Sequence, residues 1–138
     1  MRKLALIIVV AGLVAGGGSA LALSHTAKSP TARADYASCI KKARTTVAAE
    51  ACINAEIKRL TGLLNSAYKT LLTNPGVSKT ALAAAENRWV AFRAADCKFA
   101  GTLNAGGSLQ PIDTGTCMVD LTSTRLIELR NYEKQAPH

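Results

Sequence analysis

Histidine is nearly absent from these 138 residues: the only two, His25 and His138, stand near the ends. A serine or cysteine nucleophile ordinarily needs a neighbouring base, so the expected core holds no such partner. There is no C-x-x-C pair, which removes the usual spacing of a zinc site. The glycine-rich Gly106-Gly107-Ser108 lacks the spacing and the lysine of a phosphate loop. Asp96, Asp113 and Asp120 are the only acids around it, and nothing marks two of them as a glycosidase pair at a set separation. Aromatic residues are scarce, with a single tryptophan, Trp89. No segment alternates apolar and polar residues with period two, and no internal repeat stands out. These absences argue against an enzyme, against a bound metal or cofactor, and against β-structure.

What is present begins with MRKLALIIVVAGLVAGGGSALALS. Arg2 and Lys3 precede an apolar run from Leu4 to Val14, and Ala20-Leu21-Ala22 fits an A-x-A cleavage site. That is the layout of a secretory signal peptide. The run falls short of the ~20 apolar residues that cross a bilayer, and Gly16-Gly17-Gly18 would weaken a spanning helix. Residues 1–22 are expected to be removed, with no cysteine at the cut to carry a lipid. Residues 23–34 are expected to form a flexible tail, and residues 35–134 one domain. Nothing beyond Ala22 is long and apolar enough to span a membrane. The expected location is periplasmic or secreted.

All four cysteines, Cys39, Cys52, Cys97 and Cys117, lie after the leader. An even count in a small exported domain predicts two disulfides. Of the three connectivities, Cys39–Cys52 and Cys97–Cys117 are favoured, because each closes a short segment between neighbouring helices. Each would remove roughly 3 kcal/mol of unfolded-state entropy.

Helical periodicity is clearest from Cys52 to Leu72. Ile53, Ile57, Leu60, Leu64, Ala67 and Leu71 recur at steps of four and three, one stripe along a helix, with Leu63, Tyr68 and Leu72 widening it. Asn74-Pro75-Gly76 should stop that helix. Ser78 can cap a second long helix from Lys79 to about Ala100, with Leu82, Ala85, Trp89, Phe92 and Phe99 inward. A shorter helix is expected at Asp35–Val47, burying Tyr36, Ile40, Ala43 and Val47. Gly101–Gly115, rich in glycine and containing Pro111, reads as a loop. Cys117–Glu133 returns to helix, burying Met118, Leu121, Leu126 (or Thr122), Leu129 and Tyr132. The expectation is a small all-α antiparallel bundle, two long helices packed together and two shorter ones closing over them, stapled by two disulfides.

The stretch RWVAFRAADC, Arg88–Cys97, concentrates polar groups on the second long helix. Trp89, Arg93 and Cys97 step by four and share a face; Arg93 and Asp96 stand three apart, within ion-pair reach. Asp96 falls on the apolar stripe, so partial burial with a cationic partner is expected, either Arg93 or Arg125 from the last helix. A reactive thiolate beside arginine is the alternative, but an oxidised Cys97 has no thiolate to offer.

The order of motifs also resembles a known family. Cys39 and Cys52 are followed by Leu64-Asn65-x-x-Tyr68. Then come Glu86-Asn87-Arg88-Trp89-Val90-Ala91-Phe92-Arg93-Ala94-Ala95-Asp96-Cys97, Gly106-Gly107-Ser108, Cys117, and Leu121-Thr122-x-x-Arg125-x-x-x-Leu129. Over about residues 35–130 the chain resembles the LprI-like lysozyme-inhibitor family of small exported bacterial proteins. The resemblance implies a helical domain with local disulfides and, for some members, binding and inhibition of lysozyme. It marks Asn65, Tyr68, Trp89, Arg93, Asp96 and Arg125 as structural motif residues.

Steric inhibition calls for a rigid element to fill the substrate cleft. The candidate is the loop carrying Gly106, Gly107, Ser108 and Asp113, held at its base by Cys97–Cys117. Charge sets a condition. The formal net charge is +8, of which Arg2 and Lys3 leave with the leader. Common animal lysozymes are basic, so long-range repulsion opposes association; a locally acidic patch would relieve it, and only Asp113 and Asp120 stand near the loop. The other reading of the positive charge is attachment to anionic lipid or cell-wall polymer through Lys41, Lys42, Arg44, Lys58 and Arg59. Nucleic acid is not expected as the partner of an exported protein.

Overall fold

Thr45 decides where the longest helix begins. Its hydroxyl accepts a hydrogen bond from the Ala48 amide at 3.1 Å, satisfying one of the unpaired donors of a helix start. In the computed structural model, which describes residues 30–137, four α-helices and no strand occur among those residues. They are α1 (Pro30–Lys42), α2 (Thr46–Thr73), α3 (Lys79–Thr102) and α4 (Gln110–Gln135). The leader expected at 1–22, and most of the expected tail at 23–34, lie outside the described residues; α1 already begins at Pro30. Asn74-Pro75-Gly76 ends α2 as expected, with the Asn74 side chain accepting from the Gly76 amide, and Ser78 caps α3.

The expected all-α bundle with both disulfides, Cys39–Cys52 and Cys97–Cys117, is present. Its lengths and pairings differ from expectation in three respects. First, α4 is as long as α2 and α3, because the expected loop Gly101–Gly115 shrinks to residues 103–109. Pro111 sits in the first turn of α4, where its missing N–H costs nothing. Gly101 and Gly115 are buried inside helices, where they permit close approach rather than a turn. Second, α2 and α3 share almost no contact along their lengths, and each packs on α4 instead. Third, α4 runs parallel to α2, with Gly115 against Ile53 and Pro137 against Gly76, and antiparallel to α3. The α1–α2 turn and the α3–α4 turn therefore lie at the same end.

The core follows the α2 stripe. Ile53, Leu60, Leu64, Ala67 and Leu71 are buried against Val119, Leu126 and Leu129 of α4, with Leu82 of α3. Thr122 is fully buried as well. Tyr36, Ile40, Ile57, Leu63, Tyr68, Leu72 and Trp89 pack around that centre. Val47 departs from expectation: it belongs to α2 and is 75% exposed. Tyr132, expected inside, is half exposed.

Gly115 is the tightest point of the α2–α4 crossing. A Cβ there would stand 2.5 Å from Ile53 Cγ2, whereas a Cβ on Gly62, on the exposed side of α2, meets nothing within 4 Å. Gly115→Val is expected to lower stability by about 1–3 kcal/mol through overpacking. Gly62→Ala should raise it by about 0.5–1 kcal/mol through helix propensity. Thermal melts of the two variants check both signs.

Candidate functional site

The motif residues of α3 turn inward on a line different from the apolar one. Leu82, Glu86, Trp89, Arg93, Cys97 and Gly101 face α4, while Phe92 and Phe99 are 54% and 64% exposed. The Cys97–Cys117 bond fixes this rotation, since Cys97 must point at α4 and is itself buried.

Around Trp89 the line forms an ionic network. The Arg93 guanidinium lies 4.7 Å from the Trp89 ring centroid and that of Arg125 lies 5.9 Å away, both within cation–π range. Arg125 donates from Nε to Glu86 Oε2 and from Nη1 to Glu128 Oε2, each at 3.0 Å. Burial alone would push the Arg125 pKa down, but the hydrogen bonds to Glu128 and Glu86 outweigh it and hold it above the ordinary value. Arg93 donates from Nη1 to the Thr122 hydroxyl at 2.8 Å, while its Nε is buried without a hydrogen-bond partner. Burial lowers the Arg93 pKa, and the nearby Glu86 charge offsets part of that. The network clamps α3 to α4 and leaves its carboxylates engaged.

The structure thus brings together Trp89, Arg93 and Arg125 among the motif residues named from sequence. Asn65 is exposed on α2, and Tyr68 packs on the core elsewhere along that helix. Asp96 departs from expectation: it is exposed and has no salt bridge among the described residues, with neither Arg93 nor Arg125. The acid that Arg125 does meet on α3 is Glu86, ten residues earlier on that helix. Glu86 could have been found from its spacing of three to Trp89 and seven to Arg93, which puts all three on one helical face.

The second constellation is the turn between α3 and α4. The Gly107 amide donates to the Asn104 carbonyl at 3.0 Å, the Gln110 amide to the Gly107 carbonyl at 3.1 Å, and the Gly106 amide to Gln110 Oε1 at 2.9 Å. Asn104 Nδ2 donates to the Asp113 carboxylate across the turn. Gly106 has φ +77°, a left-handed conformation that favours glycine. With its polar groups bonded internally and the disulfide at its base, the turn is a preformed tip. Its shoulders are apolar and exposed, Leu103 at 72% and Leu109 at 49%. Between Ala94 and Thr124 the only charged residues are Asp96, Lys98, Asp113 and Asp120, so this end of the α3–α4 hairpin is acidic within a basic chain. Asp96 and Asp120 are exposed; Asp113 is half-buried and serves the turn.

All four cysteines are consumed in disulfides, which leaves none to ligate a metal. Beside the Cys39–Cys52 bond, Lys42, Ala43, Ala48, Ala51 and Ala55 line an open, apolar groove of about 450 Å³. Of the basic residues singled out from sequence, Arg59 is tied to Glu56 at 2.7 Å, while Lys41, Lys42, Arg44 and Lys58 are exposed.

Residues 39–129 match the family model described as lysozyme inhibitor LprI, which covers both disulfides, the Trp89 network and the turn. The chain belongs to the LprI family. An uncharacterised protein of Rhizobium meliloti (strain 1021) is 34% identical to this LprI-family chain over 56 residues. That match covers 41% of this chain and 40% of the relative. No solved structure matches. No described helix is long and apolar enough to cross a membrane.

Proposed function

We propose that this protein is an exported inhibitor that binds lysozyme and blocks its substrate cleft with the α3–α4 tip. The observation that carries the reading is the tip itself: a glycine turn whose polar groups are bonded internally, braced by Cys97–Cys117, presenting exposed Leu103 and Leu109. A preformed loop loses little conformational entropy on docking. Ser108 and the Gly106 carbonyl remain as the polar surface of the tip, because the other groups of the glycine turn are bonded internally and Asp113 is held by Asn104. Exposed Asp96 and Asp120 give the hairpin itself a local attraction for a basic lysozyme, opposed by the exposed Lys41, Lys42 and Arg44 of the α1–α2 turn at the same end. Family membership supports the partner, and two disulfides suit the oxidising compartment that export would supply.

A turbidity assay of bacterial cell-wall lysis tests this. The protein should slow lysis at micromolar concentration, and Leu109→Asp should raise the concentration needed by tenfold or more. Undiminished lysis in the presence of folded protein would rule the reading out.

Attachment to an anionic envelope surface is the second reading. It is favoured by Lys41, Lys42 and Arg44, exposed together around the α1–α2 turn. Co-sedimentation with phosphatidylglycerol vesicles that is lost at high salt would support it; absence of sedimentation at low salt would end it.

A further inference from the structure

α3 is the least covered of the long helices. Among its residues only Leu82, Cys97 and Gly101 are buried, and it packs on a single neighbour, α4. One exposed flank of it, roughly 110° round the helix from the line that faces α4, is not polar, as a solvated helix face would be. Ala81, Ala85, Arg88, Phe92, Asp96, Phe99 and Leu103 are all exposed and recur at steps of four, three, four, four, three and four. At 100° per residue they fall within a narrow arc, one strip running the length of the helix. Both phenylalanines of the chain stand on it.

The strip has an internal order centred on Phe92. Four residues before it stands a base, Arg88, and four after it an acid, Asp96. Seven before stands Ala85 and seven after Phe99; eleven before stands Ala81 and eleven after Leu103. Small faces large and positive faces negative about one point. A surface that is complementary to itself under reversal is what a two-fold interface requires. Two α3 helices laid antiparallel with Phe92 on the axis bring Arg88 level with Asp96 of the partner subunit, twice. Phe92 then packs on Phe92 of the partner subunit, and Phe99 lies over Ala85 of the partner subunit, where the small side chain leaves room.

We propose that a second copy of this chain covers the strip, in an antiparallel α3–α3 dimer centred on Phe92. The contact runs about 33 Å along the helix at 1.5 Å per residue. A single pair of helices buries about 1,200 Å² in total or less, the low end of specific interfaces, so the dimer is a weak one in exchange with monomer. The strip takes in Leu103 and Asp96, so in the dimer the part of the tip left free for lysozyme is residues 104–109, with exposed Leu109.

A charge exchange at exposed positions tests the proposal without disturbing the core. Sedimentation equilibrium of the disulfide-intact protein, from low to high micromolar concentration, should show a monomer–dimer equilibrium. Asp96→Arg alone and Arg88→Asp alone each set like charges level across the axis, and each should weaken dimerisation at least tenfold. The double exchange, Arg88→Asp with Asp96→Arg, should restore it to within about threefold, which a merely structural effect of either change would not do. Phe92→Asp should leave a helical monomer whose melting temperature matches that of the parent at concentrations too low for the dimer and no longer rises with concentration. A monomer at every concentration, or a dimer indifferent to the charge exchange, overturns the proposal. So does a monomer whose Phe92 variant loses lysozyme affinity, which would give the strip to lysozyme. Failure of lysozyme inhibition with the dimer intact would instead count only against the cleft-blocking function.

Discussion

Replacing Arg125 with alanine is expected to lower the stability of the fold by about 3 kcal/mol, among the largest single-residue effects in the molecule. The reason is what it leaves behind rather than what it removes. Glu86 has a side chain only 14% exposed, and its partner across the α3–α4 interface is Arg125. Truncating the arginine leaves that largely buried carboxylate without its cationic partner. Glu128, at 46% exposure, falls back on water and adds little. Chemical denaturation of Arg125→Ala, Glu86→Gln and the double variant separates these contributions. The double should be more stable than Arg125→Ala alone, because the stranded charge is gone. Arg59→Ala should also be costly, by about 2 kcal/mol, because it takes both hydrogen bonds from Glu56, a buried carboxylate whose side chain is only 9% exposed.

Removing the Cys97–Cys117 bond by replacing both residues with serine is expected to cost about 3 kcal/mol, from the entropy of a 20-residue separation closed in the unfolded chain. Reduction of both bonds should remove about twice that, since Cys39–Cys52 closes a comparable segment of 13 residues. A domain of this size has only about 5–15 kcal/mol to lose, so the fully reduced protein should be mostly unfolded at moderate temperature. Far-ultraviolet circular dichroism with and without a thiol reductant gives the answer. Cys97→Ser with Cys117→Ser should melt about 10–20 °C below the oxidised parent while keeping helical signal at low temperature. The tip should suffer first, because its base is no longer pinned.

The α2 face was legible in the sequence because its signal is local and uniform. Ile53, Leu60, Leu64, Ala67 and Leu71 repeat at helical spacing, and each is buried. The α3 face was not. Hydropathy put Phe92 and Phe99 inside, whereas the inner line holds Glu86 and Arg93 beside Trp89. A buried charge is tolerable only when its partner is present, and the partner of Glu86 is an arginine 39 residues away. Periodicity within one helix carries no such information. Asp96 illustrates the same blindness from the other side: it was given a cation because it interrupted an apolar stripe, but that stripe is the solvent-facing one. Gly101, Pro111 and Gly115 misled about the loop because glycine marks close packing as often as it marks a turn, and proline is at ease in the first turn of a helix. Gly106 is the residue there that the turn requires to be glycine. Gly106-Gly107-Ser108 does lie in the turn between α3 and α4, but the rigidity of that turn rests on Asn104, Gln110 and Asp113, which only the folded chain brings together.

The measurement closest to the heart of this account is a competition at the lysozyme cleft. Calorimetric titration of lysozyme with the oxidised protein should show binding, and a saturating chito-oligosaccharide in the cleft should weaken that binding in proportion to its own occupancy. Binding that ignores the sugar, or no binding by the folded protein at all, would contradict a tip seated where the substrate lies.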